Sequence, residues 1–297
     1  MAVRKDTIFE RFLSPIIRSF IDEKKLREFY ESIDWETEGD RFRQPDLVYP
    51  HYYSSQNFHG IEGGYLNSGA SVSYDPITQY VLPPNETWVR QGLIDSIKGT
   101  PRHILDLGCG TGSTTLKLKQ AFPQAQVTGL DLSPYMLVMA DHKAKNAQLN
   151  IQWRHGNAEA TGLPDASFDL VTASLLFHET PPKVSQSILR ECFRLLTPGG
   201  EVVILDGNQK TIHQVDWLTE VFEEPYIKDY AAGSVDAWMG AAGFEAVQTK
   251  DLFLIHQVTH GMKPIPVYDH PASQQVPTNT TLDDFGSEGI AAPAFSS

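Results

Sequence analysis

Cysteine is nearly absent: two of the 297 residues, Cys109 and Cys192, are too few for a disulfide framework. A reducing, cytoplasmic setting is therefore expected. Long apolar runs are missing too; none could span a bilayer, and no secretory pattern precedes residue 20. The last residues, Ala294 to Ser297, carry no prenylation signal. Positive charge is scarce, with 24 Lys and Arg against 37 Asp and Glu and a net charge of −13. Binding to nucleic-acid phosphates relies on clustered Lys and Arg, so no nucleic-acid partner is expected. What remains is ordinary for a globular protein: 41% hydrophobic and 21% charged residues, and enough length for one large domain with additions.

The most informative stretch is Ile104-Leu-Asp-Leu-Gly-Cys-Gly-Thr-Gly112. An apolar run reaches a carboxylate, and glycine then takes every second position. This reads as a strand ending in a turn too tight for side chains, where a ligand can approach the backbone. Ser113 to Ala121 follows as a helix whose N-terminal N–H groups face the same space. Cys109 fits the turn as a small residue. Glycine turns also occur in dehydrogenases and kinases, but a second apolar run, Gln126 to Leu130, ends in Asp131. That carboxylate follows the turn by about 20 residues, the separation expected of an acid that grips ribose hydroxyls. The nicotinamide fingerprint wants Gly or Ala where Ser113 stands.

Further segments carry a family likeness. Asp106-Leu-Gly-Cys-Gly-Thr-Gly112, Gly129-Leu-Asp131-Leu-Ser, Gly156-Asn-Ala-Glu159 before Leu163-Pro164, Phe168-Asp169-Leu-Val and Leu196-Thr-Pro-Gly-Gly200 together resemble class I S-adenosylmethionine-dependent methyltransferases. The likeness is to the branch that methylates small molecules, quinone rings and natural products among them. It implies that S-adenosyl-L-methionine is the cofactor. It further implies that Gly108 and Gly110 approach the cofactor's methionine portion and ribose. Asp106 would orient its ammonium, and the Ser174 carbonyl would help. Asp131 would accept from the ribose hydroxyls, and Leu132 would lie against adenine. Asn157 and Ala158 would read the adenine edge, and Tyr74, beside Asp75, would reach the amino-acid end. One departure stands out: the third motif has Asn157 where the family more often has Asp, which leaves an amide oxygen without full charge as acceptor.

The rest of the chain organises around this block. Thr7 to Tyr30 has apolar residues at helical spacing, broken by Pro15, and would pack over the catalytic domain or form a homodimer. Ser32 to Tyr80 is rich in aromatic residues and glycine and reads as an irregular cap or lid over the glycine turn. Asn85 to Lys98 reads as helix. Strands are expected near His103–Leu107, Gln126–Asp131, Ile151–His155, Leu170–Ser174 and Glu201–Asp206, alternating with helices near Ser113–Ala121, Tyr135–Asn146, Lys183–Leu195 and Val215–Glu223. A helix at Ser234–Ala242 precedes a closing antiparallel pair, Phe244–Lys250 and Leu252–Val258. The expected fold is α/β: a Rossmann-like, seven-stranded methyltransferase sheet, mostly parallel with an antiparallel last strand, under an N-terminal helical and aromatic cap. The domain reading is cap over 1–82, methyltransferase domain over 83–262 and extended tail over 263–297.

For the chemistry, His178 follows the fourth strand in Leu175-Leu-Phe-His-Glu179, where ligands of open parallel sheets sit. Its imidazole could act as base or orient an oxygen; it could equally cap the loop or bond Glu179. His256 and His260 lie four apart in or near a strand and make a poor metal pair; His155 and His103 read as edge or loop residues. A sulfonium methyl is already electrophilic, so no metal is called for. The expected activity is methyl transfer to a small molecule at a hydroxyl, phenol or carboxylate oxygen, with carbon or nitrogen methylation, a dehydrogenase and a non-catalytic cofactor-binding module as alternatives.

Overall fold

Seven segments supply the strands of one sheet: β1 (His103–Leu107), β2 (Gln126–Asp131), β3 (Gln152–His155), β4 (Phe168–Ser174), β5 (Leu196–Gly207), β6 (Glu245–Leu252) and β7 (His256–Met262). The structure, a computed structural model, describes residues 20–81, 84–215 and 224–266. The strand order is β3-β2-β1-β4-β5-β7-β6. The first five pair in parallel, with Asp106 opposite Gly129 and Thr172. β7 slots between β5 and β6 and runs antiparallel to both. The order reverses beside β1, so the crevice at the ends of β1 and β4 is the place where such a sheet binds ligands.

Side-chain alternation along the strands fills two cores, one on each face. Leu105, Leu107, Val202 and Ile204 pack into one with Ile188, Leu189 and Leu195 of the helix Pro182–Leu195. Ile104, Val203 and Leu205 enter the other with Val89 and Leu93 of the helix Glu86–Ser96. Each such fully buried side chain contributes roughly 1.5–3 kcal/mol relative to exposure. Two-sided burial is what makes these strands near-continuous apolar runs and holds the crevice rigid.

The cap departs most from expectation. Its aromatic stretch is mainly helical: Trp35–Asp40, His51–Ser54 and a 14-residue helix, Ser68–Val81, with Pro76 inside. The last is built from weak helix formers and loses one N–H to proline. Packing sustains it instead: Val72 joins Trp35, Val138 and Met139, while Tyr74 lies against Phe58, Tyr65 and Met136. The long N-terminal helix is broken within the described part. Asp22 accepts from the Lys25 N–H and begins a new helix, Glu23–Glu31; most of the face considered for a homodimer lies in residues 1–19, outside the described residues.

Of the helix expected over Val215–Glu223 only Val215 is described, as the residue after a helix at Gln209–Gln214 that was not anticipated; 216–223 lie outside the described residues. A short helix, Ile227–Ala231, was not anticipated. The last strand starts at His256 rather than Leu252, because Phe253 sits at a positive φ in the connecting turn. Lys263, expected to open the tail, still exchanges backbone hydrogen bonds with Gly199 and Gly200. The chain divides after Ile265, and all of the second unit except Pro266 lies outside the described residues. Among the described residues no helix is long and apolar enough to cross a membrane.

Candidate active site

β1 delivers the chain to Gly108 and Gly110, both at positive φ (61° and 53°), a conformation that favours glycine. A Cβ on Gly108 would come within 2.8 Å of Leu176, whereas one on Gly110 would meet nothing within 4 Å. Gly110 thus borders open space. Its N–H donates to Asp131 Oδ2 at 2.8 Å, and the Ser133 N–H donates to Oδ1 at 2.8 Å. The turn is thereby tied to the end of β2. The helix Ser113–Ala121 begins directly after Gly112 with no side-chain cap, so its first N–H groups stay available.

A cleft runs along this edge. Its floor is Gly108, Gly110, Asp131, Leu132, Ala158 and Ser174, and its roof is the rings of Tyr52, Tyr53, Phe58, Tyr65 and Tyr74. The structure therefore brings together seven of the residues singled out in the sequence, Tyr74 included. Three others stand off the cleft wall. Asp106 is buried beneath the turn, where Oδ2 accepts from Thr115 at 2.6 Å and Oδ1 from Thr172 at 2.7 Å. Asn157 spends its amide oxygen on the Glu159 N–H at 2.9 Å. His178 lies just behind the wall, next to Glu179, which is on it. Asp75 does not share Tyr74's exposure to the cleft; it accepts from Thr111 and Lys143 and clamps the cap helix to the glycine turn.

Residues 104–200 match the family described as a methyltransferase domain. The domain is a class I S-adenosylmethionine-dependent methyltransferase domain. Over 134 residues the chain is 38% identical to a demethylmenaquinone methyltransferase of Deinococcus radiodurans, covering 45% of this chain and 55% of that protein. Over 157 residues it is 36% identical to one from Lactococcus lactis, covering 52% and 58%. The chain spans about half the length of the curated relatives it matches. Human N-acetylserotonin methyltransferase, solved in complex with SAM, shares the fold with a TM-score of 0.54 at 18% identity, over 67% of this chain and 57% of that one.

The residues present in this methyltransferase domain fit the cofactor chemically. Ser174 Oγ is buried on the cleft wall with no hydrogen-bond partner, an acceptor and donor in search of a ligand. Asp131 has carboxylate lone pairs beyond the two its backbone donors use. Burial raises its pKa to about 6 against the two N–H donors, which lower it; burial likewise raises Asp106 to about 6. Such a wall suits a ligand that carries positive charge, as a sulfonium and an ammonium do.

Beyond the cofactor floor lies a polar corner. Asp206, at the end of β5, accepts from the Phe177 N–H at 2.7 Å and pairs with His178 Nδ1 at 2.6 Å. The partner of His178 is thus Asp206 and not its neighbour Glu179, whose Oε1 lies 3.9 Å from Nε2. Burial disfavours the charged ring, but the Asp206 carboxylate outweighs it and raises the pKa to about 9. Glu179 Oε1 accepts from Tyr65 at 2.5 Å.

His155, read as an edge or loop residue, is buried. It accepts from the Gln44 N–H at Nδ1 (3.0 Å), and its Nε2 lies 2.9 Å from the Leu132 carbonyl, which fastens the cap to the Asp131 loop. That pattern assigns the proton to Nε2. His260 pairs with Glu201 at 3.0 Å, and His103 is half-exposed near Asp169. Sequence reasoning missed Glu179 and Arg90. Arg90 reaches the cleft from the helix Glu86–Ser96 while bonded to Glu86 and Thr114. Glu86 four residues before it was a usable signal for an ion pair, though not for burial.

Proposed function

We propose that this chain transfers the methyl group of S-adenosyl-L-methionine to an oxygen of a small aromatic acceptor. The observation that carries the reading is the pairing of two surfaces in one cleft: the Gly110–Asp131–Ser174 floor and the tyrosine-rich roof that ends at Glu179. The cofactor supplies a methyl on a sulfonium, which is electrophilic without further activation. The protein's own share is to hold the donor, seat the acceptor behind it and exclude water. Asp131 would accept from the ribose hydroxyls, Ser174 would serve the ammonium, and Leu132 and Ala158 would lie along the adenine. Tyr74 would reach toward the amino-acid end. Asp106 would act on the ammonium from below the turn and Asn157 on the adenine edge, each through the lone pairs its present bonds leave.

The roof favours a flat ring, since five aromatic side chains offer stacking and edge contacts. For a ring hydroxyl, a base must take the proton or a donor must orient the oxygen. His178, held at Nδ1 by Asp206 with Nε2 toward the Glu179 side and charged below about pH 9, would be the donor that orients the oxygen. A second reading is methylation of a quinol ring carbon. Two of the similar proteins are named demethylmenaquinone methyltransferases, and losing a hydroxyl proton would activate the neighbouring ring carbon in the same site.

The test is a panel of phenols, hydroxynaphthalenes, carboxylic acids and amines with methyl-labelled cofactor, read by product mass and NMR. A methyl ether or ester supports the first reading, and a methyl on carbon selects the second. Lack of cofactor binding by calorimetry defeats both.

A further inference from the structure

Three residues far apart in sequence meet behind the tyrosine roof. His59 comes from the 3-10 turn Phe58–Gly60, Glu179 from the turn Phe177–Glu179 and Glu224 from the segment before the helix Ile227–Ala231. His59 Nδ1 lies 2.7 Å from Glu224 Oε1, and Nε2 lies 3.4 Å from Glu179 Oε1. One ligand atom from each residue falls within 4.8 Å of the others. The Glu224 side chain is fully shielded from solvent; His59 Nδ1 stands 2.7 Å from its near oxygen, and neither oxygen receives a hydrogen bond of good geometry among the described residues. An ionised carboxylate buried without donors is costly unless a cation compensates it. His59 can offer one positive charge against two carboxylates, and the nearest other imidazole, His178, is already matched by Asp206.

The geometry points to a binding site for a divalent first-row transition metal ion, ligated by His59, Glu179 and Glu224. Two carboxylates balance the ion's charge. The imidazole nitrogen favours zinc or cobalt over magnesium or calcium, which prefer all-oxygen sites. Bonds of about 2.1 Å set ligand atoms roughly 3.4 Å apart in a tetrahedral site; the three side chains already bring theirs within 4.8 Å, and since His59 faces the two carboxylates with different ring nitrogens, its ring must turn for one nitrogen to face both. Three protein ligands leave a coordination position open, and Glu179 lies on the cleft wall, so an acceptor oxygen would be the fourth ligand. The role toward an acceptor rests on the proposed methyl transfer; the ion site itself does not.

The experiment uses the full chain, stripped with a chelator and titrated with cobalt(II), read by visible absorption and calorimetry. The site predicts saturable binding of one cobalt ion per chain. Glu224→Gln and, independently, His59→Ala should each weaken it at least about tenfold, while His103→Ala, at the half-exposed histidine, should leave it unchanged. Circular dichroism checks that each variant is folded; the partly exposed His59 ring makes His59→Ala the safer of the two. Absence of saturable cobalt binding, or binding indifferent to both substitutions, overturns the proposal. Cofactor binding measured on the same preparation separates that failure from failure of the methyl-transfer reading.

Discussion

Asp131 closes the glycine turn through the Gly110 N–H and starts the next helix through the Ser133 N–H. On the proposed reading this carboxylate also accepts from the ribose, so Asp131→Ala should weaken cofactor binding by about 1.5–3 kcal/mol, measured by calorimetry. The same residue predicts a pH dependence. The cofactor's hydroxyls and positive charge favour the ionised carboxylate, and burial holds its pKa near 6. Affinity should therefore rise as pH increases through about 6 and level off above it, and Asp131→Asn should flatten the curve. A carboxylate at a strand end, at the right distance from a glycine turn, was legible from the residues. Glu179 was not, because its meaning depends on Tyr65, a hydrogen-bond partner 114 positions away.

The helix Ser68–Val81 shows how an element can form against its own composition. Serine, glycine and an internal proline argue against it, and contacts with the helix Pro134–Asn146 argue for it. Asp75 is the polar part of that docking, receiving Lys143 at 2.6 Å and Thr111 at 2.5 Å. Asp75→Ala should cost about 1–2 kcal/mol of stability, an estimate kept low because the pair is partly exposed. Hydrogen exchange should quicken in 68–81 before it does in β1 or β4. Equal acceleration in helix and strands would mean that the helix does not open separately from the sheet. The first four strands and the helices Ser113–Ala121, Pro134–Asn146, Pro182–Leu195 and Val235–Ala241 were readable to within a few residues, since period-two and period-3.6 patterns are local. The connection before β7 was misplaced because a positive φ at Phe253 leaves no compositional mark.

At the scale of the molecule, the acidic floor sets binding against stability. Asp131 is raised from 3.8 to about 6 by burial. The folded state thus holds this proton more tightly than the unfolded one. The associated stability is complete below about pH 4 and is lost as pH rises through about 6, a loss of roughly 3 kcal/mol. His256, lowered to about 4 by burial, works in the opposite direction over part of that range. The clean measurement is therefore a difference. Without cofactor, the stability of Asp131→Asn relative to the parent should increase between pH 4 and 7.5 in urea titrations. A gap independent of pH would mean that Asp131 titrates as in the unfolded chain.

The residues by themselves determined the sheet, the glycine turn and the strand-end acid, because each is written in a contiguous pattern that no distant partner needs to complete. Only the tertiary structure decided that Asp206 holds His178, that Asp106 sits beneath the turn between two threonines, and that His59, Glu179 and Glu224 share one corner. Those pairings join segments far apart in sequence that meet only when the sheet assembles or, for His59, when the cap packs on it, and burial then sets their charges.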